Sequence, residues 1–281
     1  MQITSFPRVE TLSTGNMLLV DGPQGTKTIT MSNFPFAMLQ MLPPENHRMI
    51  FRGKNLGSSP TATQLSSIAN GTFADLWLGD YWVSGGINWR ICDFDYWLYH
   101  GDSGTIVSHH VLIMPDTSLY DTPMHSSSSA GVGYGACAMR TSGLSGAKST
   151  IRGIFGDHIL THRENLITET ASNGYGTRIQ WSDCDVEIPS ESMIYGHFEN
   201  AVTIRPDNLA ATNGYSNAYT QLALTAVAPR FVLTTPRKRY WLRDKASDTY
   251  FCTMGASGSS YATEATSSDT GIRPIFGIKG N

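Results

Sequence analysis

The sequence Arg239-Tyr240-Trp241-Leu242-Arg243-Asp244 opens the segment that decides the fold of this chain, and Gly271-Ile272-Arg273-Pro274-Ile275-Phe276-Gly277-Ile278 closes it. Both blocks are rich in apolar and aromatic residues, so we expect both to be structured. Pro274 suits a strand entry or an edge strand, because proline has no N–H to donate to a central ladder. Between the blocks, Tyr250-Phe251-Cys252-Thr253-Met254 is predicted to be a further strand.

The residues between these blocks have a different character. From Asp244 to Thr270 nearly every residue is Ser, Thr, Ala, Gly, Asp or Tyr. Tyrosine provides contact area at low entropic cost and serine adapts its hydrogen bonds, which is the mixture that binding loops favour. A flexible surface loop without function is the alternative, but the structured flanks favour a binding surface. The candidate binding residues are Asp244, Ser247, Asp248, Tyr250, Thr253, Ser257, Ser259, Ser260, Tyr261, Thr263, Ser267 and Asp269.

Composition sets limits on the function. A chain of 281 residues can hold one large domain and a small appendage. Only 15% of the residues are charged and the net charge is −3, so we expect no nucleic-acid partner. The short basic cluster 237–239 is interpreted as a solvated strand end. The chain begins without a signal-peptide pattern and has no apolar run long enough for a membrane span, so we expect no membrane insertion.

Cysteine and histidine spacing predicts neither a metal nor a cofactor. The four cysteines contain no C-x-x-C pair, and we expect free, mostly buried thiols. His109 and His110 are adjacent in a predicted strand and therefore point to opposite faces. Residues 145–168 show helical spacing of apolar residues, which would place His158 and His162 on one helix face. No third ligand accompanies them, so a pair at the edge of the core is the favoured interpretation.

The first 45 residues are predicted to form a separate β-hairpin module. Residues 17–20 and 26–31 read as its two strands, and Pro43-Pro44 marks the boundary to a main domain over 46–281. A hairpin of this size is not stable alone, so its apolar residues need a partner. That partner is either the main domain or a neighbouring subunit.

Several elements of the main domain can be predicted from local pattern. Thr61 with Gln64 predicts a capping box at the start of a helix. Residues 80–83 and 87–95 predict a hairpin, and 109–115 predicts a buried strand. The tryptophans near this hairpin could form a platform for sugars, but Trp89 alternates with apolar residues, which favours a core position. Residues 122–136 and 205–220 are expected to be loops.

Two ordered motifs carry a resemblance to a known family. The segment 185–196, with Pro189, Ser190, Glu191 and Tyr195 at the matching positions, resembles the "LPTEAEWEYA" segment of formylglycine-generating-enzyme-like domains. The second motif looks like the end of the same C-type-lectin-like domain. It consists of Trp241-Leu242-Arg243, the polar segment that follows, and the closing Gly271-Ile272-Arg273-Pro274. The resemblance spans roughly residues 48–279 and implies an α+β fold of small mixed sheets, two or three helices and many loops. The fold-defining residues would be Trp89, Pro189, Glu191, Trp241, Arg243, Gly271 and Arg273.

The resemblance also implies a function. Phage tropism determinants share this domain subtype, and the N-terminal hairpin resembles attachment modules of phage fibre and spike proteins. We therefore expect a virion protein of a tail fibre, spike or head fibre that binds a host-cell surface receptor, glycan or protein, through residues 244–270. Tyr250 and Tyr261 would be the anchors. The resemblance further implies that an adenine-mutating retroelement diversifies this segment. It also implies contacts of the N-terminal module with other virion proteins and a homo-oligomer, which would be a trimer by analogy.

Two alternatives remain at this stage. One is a purely structural capsid or tail decoration protein whose polar segment binds nothing. The other is an atypical enzyme of the same fold, but formylglycine generation needs a cysteine pair and only Cys252 lies in the terminal part. The three histidines of the related iron enzymes and the motifs of calcium-dependent lectins are also missing from the sequence. A binding protein without cofactor is therefore expected rather than an enzyme.

Overall fold

The protein has an α+β architecture of short helices and small antiparallel sheets. The computed structural model describes residues 17–20, 27–30, 34–39, 42–102, 106–202 and 220–280. The chain divides into two compact units, residues 1–46 and residues 47–281.

Each described element is named here by its position along the chain. The helices are α1 Phe34–Leu39, α2 Ala62–Ala69, α3 Ser145–Phe155, α4 Glu191–Tyr195 and α5 Ala223–Val227. The strands are β1 Met17–Val20, β2 Lys27–Thr30, β3 Tyr81–Ser84, β4 Ile87–Phe94, β5 His110–Pro115, β6 His162–Thr170, β7 Gly176–Cys184, β8 Val186–Glu187, β9 Tyr240–Lys245, β10 Tyr250–Met254, β11 Ser260–Glu264 and β12 Ile275–Lys279. Short 3-10 helices cover Pro44–Arg48, Tyr134–Ala136, Gly156–His158 and Pro229–Val232, and a π-helix covers Met139–Gly143.

The N-terminal unit contains the predicted hairpin. Strands β1 and β2 are antiparallel, with Met17 opposite Thr30 and Val20 opposite Lys27. The predicted turn between them lies outside the described residues. Helix α1 follows the hairpin.

The main unit is built on a five-stranded sheet in the order β3-β4-β5-β12-β8. The closing strand β12 lies inside this sheet, antiparallel to both β5 and β8. Pro274 therefore stands at a strand entry, one of its two predicted positions, and the edge-strand alternative is wrong. All six residues of β5 are buried, as predicted for a buried strand.

Local patterns of the main unit are confirmed where their partners are close in sequence. Thr61 caps α2, and its Oγ1 accepts a hydrogen bond from the Gln64 N–H while the Gln64 side chain accepts from the Thr61 N–H. Strands β3 and β4 form the predicted hairpin, with Trp82 opposite Trp89. Trp82, Trp89 and Trp97 are fully buried, so they belong to the core and cannot form a sugar platform.

The helix predicted over 145–168 is wrong in its second half. Helix α3 ends at Phe155, and Gly156 adopts a φ of +56°, which a glycine tolerates and a helix does not. From His162 the chain forms β6, which pairs antiparallel with β7. His158 and His162 therefore share no helix face. Only the pairing with β7 could reveal this, because the apolar spacing of the segment also fits a helix.

The remaining sequence predictions have mixed outcomes. All four cysteines are free and buried, as expected. Residues 122–136 are largely irregular, with one short 3-10 helix at their end. The predicted loop 205–220 lies outside the described residues except for Thr220. Within the described ranges, no helix combines the length and apolar character needed to cross a bilayer.

Candidate binding surface

Residues 244–270 are organised around a three-stranded antiparallel sheet in the order β11-β10-β9. Strand β10 occupies the predicted position, with Tyr250 opposite Glu264 and Met254 opposite Ser260 across to β11. Strand β11 was missed, because its small polar residues resemble those of a loop. The segment is therefore a hairpin on a sheet, and its register decides which side chains reach solvent.

Three of the candidate binding residues point into the protein. Thr253 is fully buried, and Ser260 and Thr263 are 6% exposed. The hydroxyls of Thr253 and Thr263 are 2.9 Å apart and hydrogen-bond each other across β10 and β11. The Ser260 hydroxyl donates to the Glu191 carboxylate. These three residues stabilise the hairpin, so they are not part of the contact surface that we consider below.

Three further candidates lie half-buried at the base of the hairpin. The Asp244 carboxylate accepts the Glu191 N–H at 2.5 Å, and burial raises the pKa of Asp244 to about 6. Asp248 Oδ1 accepts the Gly131 N–H at 3.1 Å, and the Ser247 N–H donates to the Tyr250 carbonyl at 3.3 Å. Asp244 and Asp248 therefore use their carboxylates to fix backbone.

The two predicted anchors are exposed but lie on opposite faces of the sheet. Tyr250 is 40% exposed and Tyr261 is 47% exposed. Tyr261 is opposite Thr253, whereas Tyr250 stands three residues before Thr253 in β10 and therefore on the other face. The two rings cannot act as a single aromatic patch. This part of the sequence prediction is corrected by the pairing register.

Tyr261 belongs to a compact surface at the end of the hairpin. Its ring lies against Gly255, where an added Cβ would stand only 2.5 Å from Tyr261 Cδ2, so a side chain at 255 would displace the ring. The turn is closed by the Gly255 N–H donating to the Ser259 carbonyl at 2.8 Å. We call the four exposed residues of this end the tip patch: Ala256, Ser257, Ser259 and Tyr261. Ser267 is half-buried and Asp269 is exposed; both lie beyond β11 and hydrogen-bond each other at 2.6 Å.

Glu191 holds the hairpin at Ser260, which lies between the tip-patch residues Ser259 and Tyr261. Its buried carboxylate accepts backbone N–H groups from Glu199 at 3.0 Å, Asn200 at 3.0 Å and Ala201 at 2.8 Å, in addition to the Ser260 hydroxyl. Ser190 caps α4, and its Oγ accepts the Met193 N–H at 3.1 Å.

Residues beside Glu191 continue these contacts. The Pro189 carbonyl accepts the Arg243 N–H at 2.9 Å, which ties the start of α4 to β9. The Tyr195 hydroxyl at the end of α4 donates to the Gly258 carbonyl at 3.0 Å. The segment that carried the family resemblance therefore contacts the hairpin at several points.

Strand β9 is held by a buried ion pair and a buried indole. Arg243 Nη1 lies 2.5 Å from Glu164 Oε2, and His162 Nε2 lies 3.1 Å from the other carboxylate oxygen. Burial alone would raise the pKa of Glu164, but Arg243 and His162 hold it below its ordinary value. The Trp241 Nε1 donates to the Thr122 carbonyl at 2.7 Å. Arg243 and Trp241, two of the predicted fold-defining residues, therefore attach β9 to other parts of the main unit.

The closing motif is equally buried. The Gly271 N–H donates to the Arg239 carbonyl, and the Gly271 carbonyl accepts the Trp241 N–H, both at 3.0 Å. Arg273 is fully buried, and its guanidinium donates to the carbonyls of Pro115 at 2.8 Å, Phe231 at 2.8 Å and Val232 at 3.0 Å. Arg273 therefore connects the end of β5 to the 3-10 helix 229–232.

A further buried cation, Lys245, was not predicted to be structural. Its ammonium donates to the carbonyls of Ser129 at 2.7 Å and Val132 at 3.1 Å and to that of Asp248. These contacts join the loop 129–132 to the turn after β9. Burial lowers the pKa of Lys245 from 10.5 to about 8. Sequence gives no signal for this role, because the acceptors are backbone groups that only the tertiary structure brings together.

Burial raises the pKa of all four thiols, that of Cys137 to about 12, which disfavours the nucleophilic thiolate. No three His, Cys, Asp or Glu side chains in the described part of the chain lie close enough to hold a metal ion. No family model, curated protein or solved structure matches this chain. Function is therefore inferred from the surface itself.

Glu191→Gln is expected to destabilise the main unit. Glutamine keeps the shape but offers one acceptor oxygen, and its amide N–H2 would face N–H donors. The free energy of unfolding should fall by roughly 1.5–3 kcal/mol, the contribution of a hydrogen bond to a charged group. Urea unfolding measures it, with the exposed Glu264→Gln as matched control. An equal, near-zero change in both variants would contradict the anchoring role.

Lys245 should give a pH-dependent stability. Its pKa is about 8 in the folded protein and ordinarily 10.5, so the unfolded chain binds more protons between these values. The contribution of Lys245 to the free energy of unfolding should therefore rise from pH 8 to 10.5. The four buried thiols lower the stability over the same range in both proteins, so wild type should lose less stability than Lys245→Met. Urea unfolding across this range, with Lys54→Met on the surface as control, tests it. An equal pH dependence in wild type and Lys245→Met would show that the ammonium is not perturbed.

Proposed function

We propose that this chain is a phage virion protein of a tail fibre, spike or head fibre, and that its main unit binds a host-cell surface receptor. The observation that carries the proposal is the tip patch, in which exposed serine residues and one exposed tyrosine stand at the end of a hairpin. Buried hydrogen bonds, between Thr253 and Thr263 and from Ser260 to Glu191, stabilise this hairpin. A rigid base lowers the entropic cost of binding, because the contact groups are already in place. The receptor is a glycan or a protein.

The proposed main-unit fold is C-type-lectin-like. Its support is the segment 185–196, where the resemblance implies that a glutamate anchors a short helix. Glu191 and the Ser190 cap occupy those positions and bind backbone N–H groups of the neighbouring loop and helix. Trp241, Arg243 and Arg273, which the resemblance marks as fold-defining, are all buried. This scaffold would present the end of the chain's last hairpin to the receptor.

The N-terminal unit is proposed to attach the protein to other virion proteins. A two-stranded hairpin such as β1–β2 is marginal by itself and gains stability from a partner. A homo-oligomer, with a trimer as the arrangement proposed by analogy, would place several tip patches on one particle. Weak single contacts would then add up through multivalency.

Binding to bacterial cells tests this proposal. The fluorescent full-length chain on a multimeric carrier is applied to a panel of bacterial strains, together with Tyr261→Ala, Tyr250→Ala and the control Tyr99→Ala. Tyr99 is 64% exposed and lies between β4 and β5. We expect strain-selective binding that Tyr261→Ala weakens by about tenfold or more, as for an aromatic hot spot. Tyr99→Ala should bind as wild type.

The variants also discriminate between the alternatives. Because Tyr250 lies on the opposite face, Tyr250→Ala should weaken binding less than Tyr261→Ala. Failure to label any strain that the parent phage infects would favour a purely structural virion protein. Equal binding by Tyr261→Ala and Tyr99→Ala would remove the tip patch from the contact surface.

A further inference from the structure

A shallow groove with a positive rim borders the tip patch. The groove has a volume of about 440 Å³ and is lined by Asp116, Arg230, Phe231, Leu233, Thr234, Thr235 and Arg237. Leu233 links it to the hairpin, because a Cβ placed on Gly258 would lie 3.7 Å from Leu233 Cδ2. The groove therefore adjoins the turn that carries the tip patch.

The acidic residue of the groove is already neutralised. Asp116 accepts from Arg90 Nε at 2.7 Å and from Arg90 Nη2, and Asn88 adds a third hydrogen bond at 3.2 Å. Arg90 itself is stacked between the rings of Tyr81 and Phe231, at 4.6 Å and 4.4 Å. A pair satisfied in this way contributes no net charge to the groove.

The rim of the groove carries two guanidinium groups that lack an acidic partner. Arg230 and Arg237 are exposed, and no carboxylate of the described residues lies within ion-pair distance of either. The Arg230 guanidinium lies over the rings of Phe51 and Phe231, at 5.2 Å and 4.8 Å, so its position is fixed by stacking. Its N–H edge is still available, since stacking uses only the faces of the plane.

Exposed arginines without a carboxylate partner are uncommon in the described main unit. The other exposed or half-buried arginines of the described main unit each pair with a carboxylate, apart from Arg239; they are Arg48, Arg52, Arg140, Arg152, Arg163 and Arg178. Arg239 is the one further exposed arginine outside an ion pair there, and it lies close enough to Asp269 to lower the pKa of that carboxyl. Unpaired guanidinium charge on the described surface is thus concentrated at this groove.

The backbone of the groove is fixed in advance. Arg273 binds the Phe231 and Val232 carbonyls, and the Tyr240 hydroxyl donates to the same Val232 carbonyl at 2.8 Å. The Thr235 N–H donates to the Asp116 carbonyl at 2.8 Å, and the Thr234 hydroxyl accepts the Lys238 N–H at 2.8 Å. A ligand would therefore meet two cations on a rigid frame, which favours affinity.

We infer that the groove is a subsite for an acidic saccharide, in which Arg230 and Arg237 bind a sugar carboxylate while the tip patch contacts the neighbouring sugars. A guanidinium binds a carboxylate through two parallel N–H donors, and the Thr235 and serine hydroxyls suit the hydroxyls of a sugar ring. Two cations beside a net charge of −3 are too few to hold a nucleic-acid backbone. The inference rests on the proposed function and specifies the receptor as an acidic glycan.

A glycan array with the full chain tests the subsite. The array carries oligosaccharides with uronic or sialic acids, their neutral counterparts, sulfated members and a single-stranded DNA of equal charge. We expect binding to carboxylate-bearing members, and at least about tenfold weaker binding by Arg230→Gln/Arg237→Gln, since charge-assisted hydrogen bonds are lost. The control Arg178→Gln removes an exposed arginine on β7, which pairs with Glu169, and should bind as wild type.

The same variants applied to cells keep this inference separate from the proposed function. Strain-selective binding that depends on Tyr261 but is unchanged in Arg230→Gln/Arg237→Gln would overturn the acidic subsite and leave receptor binding standing. Equal binding of neutral and acidic sugars, preference for DNA, or no binding to any acidic member would also overturn it. The absence of binding to every strain would overturn the proposed function instead.

Discussion

The buried guanidinium of Arg273 is the constraint on which this surface depends. A cation away from water is costly unless its donors find acceptors. Arg273 offsets most of this cost through Nε and Nη1, which donate to the carbonyls of Pro115, Phe231 and Val232, while its buried Nη2 finds no acceptor among the described residues. These carbonyls must stay in place, so the end of β5, the 3-10 helix 229–232 and the entry to β12 are fixed relative to one another. The groove lies directly on this junction.

Glu191 and Lys245 also hold parts of this surface through hydrogen bonds from a buried side chain to the backbone. Each is a buried charge whose hydrogen bonds go mainly to backbone groups of loops, at 199–201 for Glu191 and at 129–132 for Lys245. Backbone acceptors and donors do not depend on the identity of the loop side chains. The position of these loops is therefore set by the buried charges and not by the exposed side chains of the loops.

The sequence predicted the elements whose local pattern fits one structure and missed those whose pattern also fits another. The Thr61 cap and the β3–β4 hairpin have partners a few residues away, so their patterns are complete in the sequence. The segment after Gly156 fits a helix by spacing, and only its pairing with β7 makes it a strand. For the candidate site, composition selected 244–270, but register places Tyr250 and Tyr261 on opposite faces.

The central claim is that the tip patch contacts the host cell. A photo-crosslinking residue at position 257 tests it most directly, with position 172 in the turn between β6 and β7 as an exposed control. The labelled full chain is irradiated on cells of the bacterial strains used in the binding panel. The account predicts covalent complexes with cell-surface material from position 257 and not from position 172. Equal crosslinking from both positions, or none from position 257, would contradict it.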